Sequence, residues 1–490
     1  MNTSKTKFDF LLQVWDTSYM NVEQIVPLIH ATPTKAVLYI TGGGTEVLPM
    51  LLVRGGGSTT LLSARVPYAN AETAELLGGE PEKYVSETTT RQLAMAAFQK
   101  ALALRTGDEP VIGVACSSSL QKTPEERKGR IHHIFAALQT SSKTVSISVT
   151  IDPATMDSSQ TIAMHDTPDG TPFLEHSPVT IRKWEETLNA IVVFNLIAEG
   201  CGIKERASVP GRYDFKADRH ESKLGGSYLP LLLEGKINRL AFYVDGNEIT
   251  PSSTYHRDDP YSSFIMPGSY NPAHEGHFEM ADYVARELIE MPNYGIDFEI
   301  SIRNVEKPML DLISLEERLK SIGKGGKRKV WLTNAPTFVE KAKVFRNPYT
   351  TFIVGYDTAI RICNPKYAGD VDAVINVFYE NNTRFVVFGR EMNGVFHPGF
   401  GRDIAAEEAA IAAETDEIKK SCLVVYREPD TDEIPQRFTT ICIAVTEPLP
   451  NRHVSSSGIR SKSSDGHAAG IPAGTVPAGL EGCQTECQSN

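Results

Sequence analysis

Two domains of the α/β class are what this chain predicts, and three observations carry that reading. Short apolar runs recur along its 490 residues, bounded by Gly, Pro and charged residues. Between them lie stretches whose apolar residues fall at the helical period. From Ser262 the order repeats as strand, helix, strand, the pattern of a parallel sheet covered on both faces.

The elements follow in order. Apolar runs at Ala36 to Ile40 and Val111 to Ala115 read as strands. Between them Leu93, Ala96, Ala97, Ala101 and Leu104 share one face of a helix over 88–104, and Ser86 stands at its N-cap. A second helix is expected over 180–199, with Trp184, Leu188, Ile191 and Val192 on its buried face and Gly200 and Gly202 as its stop. The stretch 205–260 mixes charged and Pro/Gly/Ser-rich pieces with one alternating run, Leu240, Phe242 and Val244, ending in Asp245-Gly246. It predicts a linker holding a small β element. Strands are then expected at Ser263 to Met266, Phe298 to Ile302, Val330 to Leu332, Thr351 to Val354 and Phe385 to Phe388, with two more at Cys422 to Tyr426 and Thr440 to Val445. Beyond Lys462 the composition turns to Ser, Gly, Ala and Pro, which predicts a disordered tail over 463–490.

A formal charge of -12 supplies no basic stripe for a phosphate backbone, so nucleic acid is not expected as a partner. With no apolar run of membrane-spanning length and no apolar secretory core in MNTSKTKFDF, a cytoplasmic protein is predicted, without a membrane partner. Seven scattered cysteines read as reduced thiols; Cys483 and Cys487, four apart, leave chelation open. No residue is assigned to a metal, and a homo-oligomer is left open.

Chemistry concentrates in Phe264-Ile265-Met266-Pro267-Gly268-Ser269-Tyr270-Asn271-Pro272-Ala273-His274-Glu275-Gly276-His277, which runs from an expected strand through a turn into a helix over 278–289. A helix start favours anionic oxygens, because its free N–H groups and dipole point at them. Gly268 and Gly276 let the backbone approach such oxygens. His274 and His277, three apart, project to one side of the first turn as paired donors. Two surface histidines, or half of a metal site, are the plain alternatives.

The segment resembles the GSFNPxHxGH signature of the HxGH nucleotidylyltransferases, and it is most similar to the nicotinamide or nicotinate mononucleotide adenylyltransferases. The resemblance covers roughly 262–462 and implies a Rossmann-like domain over 261–462. It also implies transfer of a nucleoside monophosphate to a small nucleotide with release of pyrophosphate, and Mg2+ accompanying ATP. It assigns His274, His277 and Arg460 to catalysis. Val454-Ser455-Ser456-Ser457-Gly458-Ile459-Arg460 is similar to the family's ISSTxIR motif, so Ser456 and Ser457 join Gly268, Ser269, Tyr270, Asn271 and Gly276 as nucleotide-binding residues. Ile353-Val354-Gly355-Tyr356-Asp357-Thr358 resembles the IGxD element, which gives Gly355 a binding role and Asp357 a ribose role. Lys307 resembles a phosphate-binding lysine of the family, with a surface lysine as the alternative. One departure stands out: Cys363-Asn364-Pro365 occupies the place where the family carries a base-stacking tryptophan. Trp331 and Tyr356 are candidates to cover the acceptor base instead, with core packing as the alternative for both. A cytidylyltransferase acting on a phosphorylated alcohol, and a non-catalytic nucleotide sensor or scaffold, remain open readings.

Residues 20–204 resemble a second family. Thr41-Gly42-Gly43-Gly44, Gly57-Ser58, Val66-Pro67-Tyr68-Ala69-Asn70, Leu76-Leu77-Gly78 and Val85-Ser86 follow in order the pattern of the C-terminal domain of the CinA family, a pyridine-nucleotide amidase fold. Ser58 and Tyr68 would be its site residues. The family's lysine is replaced by Thr73, and a threonine cannot act as the base. A CinA-like fold with a degenerate site is therefore expected.

Overall fold

The computed structural model describes residues 19–122, 130–152, 178–208, 215–252, 264–289, 295–305, 307–345, 349–392, 394–431, 434–450 and 459. The tail 463–490, with Cys483 and Cys487, lies outside them. The α/β class holds, and no described helix is long and apolar enough to cross a membrane.

Two main sheets carry the fold. The first has six strands in the order Leu61–Arg65, Lys35–Thr41, Val111–Ser119, His132–Gln139, Thr144–Ile151, Lys216–Ser222. Its first three strands are parallel and the rest antiparallel. Alternation along Lys35–Thr41 places Val37 and Tyr39 in one buried cluster and Ala36, Leu38 and Ile40 in another. The helix Glu87–Leu104 covers the first face and the helix Pro178–Gly200 the second. As expected, Ser86 caps the first of these helices, its side chain accepting from Thr89 N–H, worth about 1 kcal/mol. That helix lies so close to the sheet that a Cβ at Gly113 would sit 2.1 Å from Ala94 O and 2.2 Å from Phe98 N. Only glycine fits there.

The second sheet has ten strands. Its centre is six parallel strands in the order Arg328–Thr333, Asp297–Ser301, Phe264–Pro267, Thr350–Gly355, Thr383–Phe388, Cys442–Val445. Counted along the chain, that order is 3-2-1-4-5-6. The order reverses between Phe264–Pro267 and Thr350–Gly355, and a doubly wound sheet opens a crevice at the carboxyl ends of the strands flanking that reversal.

Two expectations need correction. The stretch 205–260 is not a linker with a β element of its own. Lys216–Ser222 completes the first sheet, whereas the hairpin Arg239–Asp245 and Glu248–Pro251 extends the second, pairing antiparallel with Arg328–Thr333. Cys422 to Tyr426 is not a strand either, because Asp416 accepts from Ile418 and Lys419 N–H and starts a helix, Glu417–Cys422, leaving only Tyr426–Arg427 to pair.

The two sheets share a core. One cluster runs from Leu93, Phe98 and Ala101 through to Phe298, Ile300, Leu312 and Leu315. Three polar links cross the same seam: Arg91 to Asp311 at 3.2 Å, Leu312 N–H to Thr144 Oγ1 at 2.9 Å, and Met309 N–H to Gln99 Oε1 at 3.2 Å.

Candidate functional site

The turn after Phe264–Pro267 is held from below. Gly268 N–H donates to Glu299 O at 3.0 Å, pinning the turn to the neighbouring strand. Tyr270, at φ 44°, tucks its ring into the core, where its hydroxyl donates to Met266 O at 2.6 Å. A Cβ at Gly268 would meet that ring at 2.7 Å, so the glycine is required by the tyrosine. Tyr270 is fully buried and cannot touch a nucleotide as expected. It is instead the floor on which His277 rests, ring to edge, with centroids 4.9 Å apart.

The helix Glu275–Glu287 starts at the two histidines. His274 is its N-cap, and His274 N–H donates to His277 Nδ1 at 3.2 Å. The rings stand 3.8 Å apart, tilted by 38°. Because Nδ1 of His277 accepts, a neutral His277 carries its proton on Nε2. Burial, then the His274 ring and the Arg390 guanidinium, push its pKa down to about 3. Burial and Arg390 also lower His274. Both rings are thus neutral donors at physiological pH.

Across the strand reversal, Gly355 leads into the helix Tyr356–Cys363. Asp357 does not present a free carboxylate to a ribose, since Arg361 holds one oxygen at 2.5 Å and Arg390 the other at 2.8 Å. Arg390 follows the Thr383–Phe388 strand and links Asp357 electrostatically to the histidines. The sequence offered one signal for it, an arginine just beyond the end of a buried strand.

A cleft of about 1000 Å³ lies beside this turn. Gly268, Ser269, Asn271 and Lys307 line it, as does Thr358 next to Asp357. His274, His277 and Asp357 are not among its walls; they adjoin it at the helix starts. Glu299 and Lys341 form a buried pair in its floor, 2.7 Å apart. The two aromatic candidates for an acceptor base are core residues. Trp331 is 4% exposed, with its indole N–H on Asp297, and Tyr356 is 1% exposed, stacked on His397. Phe338 is the one aromatic residue in the cleft wall among the described residues, and sequence reasoning missed it. Its signal was the capping box Thr337-Phe338-Val339-Glu340, which places it on the first turn of a helix directly after a strand.

Gly276 is buried in the first turn of its helix. Ser456, Ser457 and Arg460 lie outside the described residues. In the first sheet's half, Ser58 is exposed on the turn Gly57–Thr59, whose Gly57 is buried, and Tyr68 is 72% exposed. Thr73 is buried, its hydroxyl donating to Pro67 O at 3.1 Å. No lysine or histidine is hydrogen-bonded to Ser58 among the described residues.

Neither a protein-family model nor a curated protein sequence matches this chain. Among solved structures, it is similar to the competence/damage inducible protein CihA from Agrobacterium tumefaciens, at 18% identity and a TM-score of 0.19, over 25% of this chain and 76% of that one. It is also similar to the competence damage-inducible protein A (ComA) from Klebsiella pneumoniae, at 15% identity and a TM-score of 0.20, over 26% and 81%. Likenesses this weak carry no argument about activity.

Proposed function

We propose that this chain is a nucleotidylyltransferase that moves AMP from ATP onto a mononucleotide such as nicotinamide or nicotinate mononucleotide. The observation that carries the reading is the His274–His277 pair, both rings neutral, at the start of the helix that follows the first strand beside the strand reversal. Anions favour that place in a doubly wound sheet.

In the reaction an acceptor phosphate oxygen attacks the α-phosphorus of the triphosphate, and the bond from that phosphorus to the bridging oxygen breaks as pyrophosphate leaves. No proton need be removed from a phosphate already ionised. The protein's part is placement and charge stabilisation. His277 Nε2–H donates to oxygens that gain charge in the transition state, and His274 joins it from the cap position. Arg390 adds positive potential near by while Asp357 holds it in place. Magnesium arrives with the triphosphate as part of the substrate.

Phe338, half-buried with its ring packed on Phe352 and Phe385, is the aromatic residue that also borders the cleft, which favours a flat acceptor base. The CinA-like half is read as having lost hydrolysis, with Thr73 buried and its hydroxyl engaged. A pyrophosphate-release screen tests the reading: ATP or CTP against both pyridine mononucleotides, phosphocholine and phosphopantetheine. ATP with a pyridine mononucleotide should be used. Activity confined to CTP, or to an acceptor without a pyridine ring, would refute the acceptor assignment, and no release with any pair would refute the transfer itself.

A further inference from the structure

The cleft beside the nucleotide turn is not made by one half of the chain. Its far wall is the segment from Leu77 to Gln92, which belongs with the first sheet, and its near wall is the turn at Gly268 and Ser269 with residues 303–305 and 307–311. The walls are fixed to each other. Arg91 bridges to Asp311 at 3.2 Å with both side chains buried, and it also bonds Glu87 on its own helix at 2.9 Å. Met309 and Leu312 N–H groups donate to Gln99 and Thr144 on the far side. Such links, buried beside a continuous apolar core, tie the two walls to each other.

We propose that the acceptor is bound between the halves, so that the CinA-like half serves as one wall of the transferase's acceptor site. This rests on the transferase reading above. The charges give the wall a direction. Glu80 and Glu82 stand on the far wall with Lys83 as counter-charge, whereas Arg303, Lys307 and Arg318 line the near wall against Glu317, the Arg91–Asp311 and Glu299–Lys341 pairs offsetting each other. A phosphate is drawn to the near wall, where Arg318 donates to Ser269 O in the turn that leads into the His274 helix, and the base is left for the space between Phe338 and the far wall. The cleft's volume lies at the upper end of the range of small-molecule sites, enough for a mononucleotide beside the triphosphate. An amidase-like half without a working nucleophile thus retains a use.

The test combines one variant with one measurement on the unaltered chain. Thr88 lies on the far wall, exposed, on the first turn of the helix Glu87–Leu104. Thr88→Trp should raise the KM for nicotinamide mononucleotide at least tenfold in pyrophosphate release while leaving the KM for ATP within twofold. An unchanged acceptor KM in folded Thr88→Trp would overturn the proposal. Hydrogen exchange on the unaltered chain gives the second reading, with nicotinamide mononucleotide as the probe. Protection of both 79–92 and 303–311 supports a shared site; protection of 303–311 alone, or of neither, overturns it. Because this measurement needs no turnover, it separates failure of the shared wall from failure of the transfer chemistry.

Discussion

Replacing His277 by asparagine isolates the donor that the mechanism needs. In the folded chain His277 Nδ1 accepts from His274 N–H at 3.2 Å, and an asparagine oxygen can occupy that place. The cap is then kept while the Nε2–H is lost. With its pKa held well below the ordinary 6.5 by burial, the ring is neutral at pH 7, so what is removed is a neutral N–H donor and not a cation. Losing one preorganised transition-state donor costs about 10²- to 10³-fold in kcat, or about 2.7–4 kcal/mol. His277→Ala should lose as much in rate, and a further ~1 kcal/mol of stability because the cap goes too. The assay is continuous pyrophosphate release at saturating ATP and mononucleotide, with thermal melting on each variant. A fold unchanged and a rate within threefold of the parent for His277→Asn would show that the histidine pair does not act on the transferred phosphate.

Three further outcomes follow from the same geometry. Burial holds the folded-state pKa of His277 at about 3, below its ordinary 6.5, so between those values the unfolded chain takes up a proton that the folded chain does not. His277's contribution to stability is therefore present above pH 6.5 and is lost as pH falls toward 3; urea midpoints from pH 7 to 4 should fall less steeply for His277→Asn than for the parent, and equal slopes would contradict the burial argument. Phe338→Ala should raise the mononucleotide KM by about fivefold, the scale of one aromatic contact worth ~1 kcal/mol, with the KM for ATP unchanged. No ammonia should be released from nicotinamide mononucleotide, and release that Ser58→Ala abolishes would show that another group supplies the base.

What could be read from the sequence was whatever is local. Period-2 and period-3.6 patterns gave the strands and the two long helices of the first half, and Ser86 caps where a serine before an amphipathic run should. The strand, turn and helix around His274 were legible because glycine, proline and histidine at fixed offsets leave few other conformations. What depended on the far side of a contact was not legible. Tyr270 sits in a binding motif yet points inward, a choice made by the space beneath Gly268. Asp357 was expected to face a sugar, but Arg390, thirty-three residues later, comes back across the sheet to take it. Phe338 lay hidden in an ordinary helix start, and Trp331 and Tyr356 looked like platforms only until the sheet buried them. The stretch 205–260 misled because its short strands are completed by partners far away in the chain.

The central claim is attack at the α-phosphorus, and following that atom tests it most directly. With ATP labelled at the α-phosphate and nicotinamide mononucleotide in a single turnover, the account predicts the label in a dinucleotide and unlabelled pyrophosphate in equal amount. Label recovered as ADP, or as AMP at the same rate with and without the mononucleotide, would contradict it.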